Sequence, residues 1–177
     1  MKTIPRMAAM TLAALSIGAH AATPVALLTP VTFAASTDKR QDVRQECKLG
    51  EVLEAQIGNA LSRAGKGSPG TTTSTSGDVV KVNVLTIWGA GGNNWTGPKG
   101  LVIHVDMLRD GAVQRSSEFH RTTMGGFKGP FMGICGFMER NAETLGKDIS
   151  RWAKDARYTG DSSAPPSEEA SGSAPAN

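Results

Sequence analysis

Residues 124–157 read MGGFKGPFMGICGFMERNAETLGKDISRWAKDAR, and this stretch decides the fold. It opens on Gly125, Gly126, Gly129 and Gly133 and then takes on a strong helical pattern. Phe131, Ile134, Cys135, Met138, Ala142, Leu145, Ile149, Trp152, Ala153 and Ala156 recur at spacings of three and four, which predicts an amphipathic helix starting near Phe131. Lys147, Arg151, Lys154 and Arg157 gather toward its C-terminal half, where cations complement the helix dipole. Cys135 falls in the first or second turn, and it is one of only two cysteines.

The other cysteine, Cys47, sits near the start of a second helical pattern. Val43, Cys47, Val52, Leu53, Ile57, Ala60, Leu61 and Ala64 line one side, with Arg44, Lys48, Glu51 and Glu54 on the other. Gly65 suits the position just past the helix end. Gly50 and Gly58 each weaken the helix by about 1 kcal/mol relative to alanine and leave room for a neighbour to pack closely.

Whether the cysteines pair depends on the compartment. Lys2 and Arg6 precede an apolar run from Met7 to Ala19, and Ala19-His20-Ala21 gives the small-x-small pattern of a signal-peptide cleavage site. The run is shorter than the roughly 20 residues of a bilayer span. The expectation is a signal peptide over residues 1–21 and an exported chain, periplasmic or secreted, with no stable membrane insertion after cleavage. No cysteine follows the cleavage site to carry a lipid anchor. In an exported chain two cysteines favour a Cys47–Cys135 disulfide over a free Cys135 nucleophile. No second Cys or His lies close to Cys47, so neither a zinc site nor a Cys-x-x-Cys pair is supported.

Removing the 21 residues of the signal from 177 leaves 156, which suits one domain, placed at residues 22–158. The formal charge of +3 drops to +1 without Lys2 and Arg6. Residues 159–177 hold Asp161, Glu168 and Glu169 and no Lys or Arg, so the folded part carries about +4. That charge is spread along the chain, without the basic stripe that nucleic-acid binding needs. The tail is rich in Ser, Ala, Pro and Gly and reads as disordered.

Between the helices the period changes to two. Pro24 to Ala35 reads as one strand, with Pro30 placing it at an edge or giving it a bulge. Thr71 to Gly77 is a low-complexity surface loop. Val79 to Trp88 alternates, with Val80, Val82, Val84 and Thr86 on one face and Lys81 and Asn83 on the other. Leu101 to Arg109 follows, with Leu101, Ile103, Val105 and Met107 on one face. Asp110-Gly111 suits a type I′ turn and returns the chain as Ala112 to Arg121. A two-residue turn there sets Arg109 opposite Ala112, Asp106 opposite Arg115 and His104 opposite Ser117.

The order is β-α-β-β-β-α. A disulfide needs its Cα atoms about 4.4–6.8 Å apart, so both helix starts lie at one end. The expected fold is an α/β (α+β) two-layer sandwich, a mainly antiparallel four-stranded sheet with two helices side by side on one face.

No coherent catalytic set emerges. Residues 92–100 resemble a phosphate loop only briefly: Pro98 precedes the lysine, no Ser or Thr follows it, and a strand comes next. Trp95 and Lys99 are the candidates there for contact with a partner. Asn94-Trp95-Thr96 is a formal glycosylation triplet with no further support. Gly126, Lys128 and Gly129 lead into a helix N-terminus and are candidates for holding an anion; the simpler account is a tight corner. His104 and His120 fall on opposite faces in the register above, which argues against a shared metal. No cofactor is implied.

Gly125-Gly126-Phe127-Lys128-Gly129, Cys135, Leu145-Gly146-Lys147-Asp148-Ile149 and Trp152 together resemble a motif of small exported proteobacterial proteins of uncharacterised activity. The element order is also similar to that of the N-terminal domain of TolB and related envelope accessory domains. The resemblance implies a periplasmic accessory or interaction role, an envelope protein as partner, and no catalytic residues. A small-ligand or anion-binding domain is the alternative, and a hydrolase using His104 or His120 a remoter one.

Overall fold

The structure, a computed structural model, describes residues 24–67, 69–89, 99–123 and 133–159. Along the chain the elements are β1 (Ala26–Leu28), β2 (Thr32–Phe33), a 3-10 turn (Ala35–Arg40), α1 (Gln41–Glu46), α2 (Leu49–Ala64), β3 (Thr71–Thr72), β4 (Asp78–Gly89), β5 (Lys99–Arg109), β6 (Ala112–Thr123) and α3 (Ile134–Lys154). Among the described residues the sheet has six strands in the order β3-β1-β4-β5-β6, with β2 also beside β4. β4, β5 and β6 form an antiparallel meander, whereas β1 runs parallel to both β3 and β4, and β2 parallel to β4.

The expected four-stranded, mainly antiparallel sheet is therefore corrected to a mixed sheet of six. Two causes are local. Pro30 has no N–H to give a ladder, so residues 24–35 divide into β1 and β2 around it. The Val31 N–H turns away to the Glu54 carboxylate at 2.9 Å. Thr71 and Thr72, read as loop, pair with Leu27 and Leu28. Two residues are too few for alternation to show.

The helix expected from Val43 to Ala64 is broken at Lys48, whose φ of +46° is left-handed, leaving Cys47 between α1 and α2. α3 ends at Lys154, so Ala156 and Arg157 lie beyond it; Phe131 is outside the described residues.

Both helices cover one face of the sheet. Val80, Val82, Val84, Leu101, Ile103, Val105 and Phe119 meet Leu53, Ile57 and Leu61 of α2 and Met138, Leu145, Ile149 and Trp152 of α3. Full burial of such a side chain contributes roughly 1.5–3 kcal/mol, and this layer is where most of the stability resides. α2 and α3 approach closely at Gly146, where an added Cβ would lie 2.8 Å from the Gln56 carbonyl oxygen. Cys47 and Cys135 form the disulfide, with Cα atoms 5.0 Å apart, and both helix starts lie at one end.

The Asp110-Gly111 turn forms with both residues at positive φ, and Arg109 faces Ala112. A bulge then shifts the register between Met107 and Leu108, so Met107 faces Arg115 and His104 faces Glu118. One residue of slip exchanges the faces of a strand. Arg115, Phe119 and Arg121 consequently turn inward, and His104 and His120 share the outer face, a correction to the opposite-face placement. A second bulge at Val84/Thr86 puts Thr86 outward and Ile87 in the core. Among the described residues β6 is the long edge strand of the sheet. Among the described residues no helix is long and apolar enough to cross a membrane.

Candidate functional site: a cationic cleft at the open end of the sandwich

The disulfide joins the helices at their N-terminal ends. At the opposite end, the last turns of α2 and α3 and the rim of the sheet enclose a cleft of about 820 Å³. Val25, Leu61, Met107 and Ala153 give it apolar walls, and Lys66, Asp78, Arg109, Arg115 and Lys154 supply its charge.

The charges divide into two groups. Asp78 and Arg109 face each other from β4 and β5, and one guanidinium edge donates to both carboxylate oxygens, Nε to Oδ1 at 2.6 Å and Nη2 to Oδ2 at 3.0 Å. Donation from Arg109 holds the Asp78 carboxyl below its ordinary 3.8. This pair cancels itself. Arg115 is held differently: its guanidinium lies 4.3 Å over the Trp152 ring, and Nη2 donates to the Trp152 carbonyl. Trp152 is set in turn by an edge-on contact with Phe119, 6.0 Å between centroids. Arg115 Nη1 is buried and meets no acceptor. Ser150, also on the wall, donates its hydroxyl to the Lys147 carbonyl at 2.9 Å, so nothing activates it as a nucleophile.

A second cluster lies on the outward part of α3. Asp148, only 3% exposed, accepts from Arg121 Nε at 2.6 Å and from the Tyr158 hydroxyl at 2.7 Å. Burial, and then donation to Asp148, push the Tyr158 hydroxyl above its ordinary value of 10.0, against an opposing contribution from Arg151. Asp148 is a buried acceptor tying β6 and the segment just after α3 to α3; its partners account for it structurally.

The outer sheet face brings His104, Asp106 and Ser116 together. His104 Nε2 is 3.0 Å from Asp106 Oδ1, and Ser116 donates to the same oxygen at 2.5 Å. A nucleophilic triad needs the histidine between serine and carboxylate. Here the carboxylate stands between the other two, so the imidazole does not face the serine. His120 is 3.9 Å from Glu118. Among the described residues no three His, Cys, Asp or Glu side chains are grouped to hold a metal.

Of the candidate site residues singled out from the sequence, the structure brings the two cysteines together. Trp95, Gly126, Lys128 and Gly129 lie outside the described residues. Lys99 begins β5 at 2% exposure, and its carbonyl accepts from the buried Asn141 amide at 3.0 Å. The cleft was missed. Its residues come from five separate segments, and Arg115 enters it only because of a bulge that alternation does not announce.

No protein-family model and no curated protein matches the sequence. Among solved structures the chain is similar to the dodecamer of a PelC point variant from Paraburkholderia phytofirmans, at 15% identity over 72% of this chain and 86% of that one, TM-score 0.48. It is also similar to a minor lipoprotein from Acinetobacter baumannii, at 14% identity over 75% of this chain and 91% of that one, TM-score 0.41. These likenesses show no relation to TolB, and at this level they extend to no site or partner.

Proposed function

We propose that this is an exported, non-catalytic accessory protein of the bacterial envelope, and that it works by binding at the end cleft. The composition of the cleft supports this reading. Its walls are apolar, its free charges are cations, and its one carboxylate is engaged by Arg109. That combination suits recognition, which needs apolar area and a few placed polar groups. Acid–base chemistry needs a proton acceptor within reach of the reacting group.

Export is read from the leader pattern at residues 1–21, and the disulfide accords with an oxidising compartment. The test is to immobilise the mature chain and a Lys66→Glu/Lys154→Glu variant side by side and pass envelope extract over both. A component held by the first and released by the second supports the reading. Equal retention by both, or none by either, refutes binding at this cleft.

A further inference from the structure

We propose that the end cleft takes an amphipathic anion, its oxyanion head on Arg115, Lys66 and Lys154 and its apolar body against Val25, Leu61 and Met107. This rests on the cleft being the binding surface. The class of ligand follows from the charge left over. Five charged side chains line the cleft, and Asp78 and Arg109 neutralise each other through two hydrogen bonds. Three cations remain, and none of the three has an ion-pair partner among the described residues. An uncharged or cationic ligand would leave them unanswered over an apolar floor.

Arg115 distinguishes this cluster from an ordinary solvated surface. The Trp152 ring and carbonyl fix its guanidinium before anything binds, so little side-chain freedom is lost on binding. One job of these cations is plain: they lie near the carbonyl ends of α2 and α3, where positive charge is favoured. That accounts for Nη2 on the Trp152 carbonyl. It does not account for Nη1, which is buried and without an acceptor. A buried charged donor left unmet is costly. An oxyanion in the cleft would give this guanidinium an acceptor that it lacks among the described residues, and a planar fork suits two oxygens of one carboxylate or phosphate. Apolar walls then favour a ligand with a hydrocarbon body over a bare ion.

Met107 lines the cleft, and Met138 lies in the core between sheet and α3. Mature chain labelled at the methionine methyls therefore carries a reporter and an internal reference. Four probes are titrated below their micelle concentrations: octanoate, octanol, acetate, and a soluble short-chain phosphatidic acid. Octanoate is expected to shift the Met107 signal saturably and leave Met138 in place. Octanol and acetate should bind at least about tenfold more weakly, as loss of a charged hydrogen bond or of the apolar body implies. Phosphatidic acid binding more tightly than octanoate assigns the head to a lipid phosphate; the reverse assigns it to a free carboxylic acid.

Arg115→Gln should weaken octanoate by about tenfold, while Lys147→Gln, outside the cleft, should not. If Arg115→Gln fails to fold, the Lys66→Gln/Lys154→Gln variant carries the same expectation. Octanol matching octanoate overturns the anion class but leaves the cleft as a binding surface. No movement of Met107 with any probe also overturns this proposal, and the capture experiment then decides separately whether the cleft binds something else.

Discussion

Reducing the Cys47–Cys135 bond is the perturbation with the most calculable outcome. The two residues are 88 apart in sequence. Closing a loop of that length removes about 15 cal/mol/K from the unfolded chain, or about 4.6 kcal/mol near room temperature, in the chain-entropy account. With unfolding entropy of about 2.1 cal/mol/K per residue over the roughly 136 residues from 24 to 159, that becomes a fall in melting temperature of about 16 °C. Wild-type protein is compared with and without a phosphine reductant, so no side chain changes. Urea unfolding should also show a steeper denaturant dependence for the reduced form, because its unfolded chain exposes more surface. The native fold should survive reduction, since the layer beneath α2 and α3 is built mainly of side chains other than the two cysteines. A fall under about 5 °C with an unchanged denaturant slope would refute the reasoning. It would mean that the unfolded chain already keeps the two ends together.

Three further outcomes follow from the packing and the charge pairs. Gly146→Ala should destabilise by about 1–3 kcal/mol in urea, because the new methyl meets the Gln56 backbone at 2.8 Å; a gain near the 1 kcal/mol of alanine's helix preference would refute the close approach. Tyr158 is the only tyrosine, so phenolate absorbance reports it alone. Its titration midpoint should lie above 10.0 and fall toward that value in Asp148→Asn; an unchanged midpoint in the variant refutes the bond to Asp148. The folded value is raised, so this contribution to stability is complete below the unfolded value near 10 and is lost as pH rises through the folded one. Asp78 has the opposite sign. Its folded value is depressed, so the contribution is present above the ordinary 3.8 and disappears as pH falls through the folded value. Wild type should therefore lose more stability in that acid range than Asp78→Asn, measured by urea titration; parallel losses would refute it.

The parts of this fold that announce themselves in sequence are those with a long period or a fixed turn chemistry. α3 shows over five turns of apolar spacing, and Asp110-Gly111 stands where the chain accepts two positive φ values. The disulfide was legible because two cysteines leave one pairing. What was not legible is short or depends on one extra residue. β3 is two residues long and sits in a threonine run that any surface loop could carry. Lys48 adopts a left-handed conformation without being glycine or asparagine. The bulge after Val113 moved Arg115, Phe119 and Arg121 to the inner face, and nothing in the alternation of Ala112 to Thr123 marks it. The cleft was invisible for the same reason, since its central cation depends on that slip.

The inward cations of β6 also bear on whether the molecule can grow. An edge strand of 12 residues with no neighbour on its outer side among the described residues offers amides and carbonyls to an extended chain nearby. A strand added there would extend the inner face over Arg115 and Arg121, both half-buried and tied to the Trp152 carbonyl and to Asp148. Covering them would strip the remaining water from two guanidinium groups and put nothing in its place. Inward charges of this kind disfavour a further strand beside β6, and with it edge-to-edge stacking of copies.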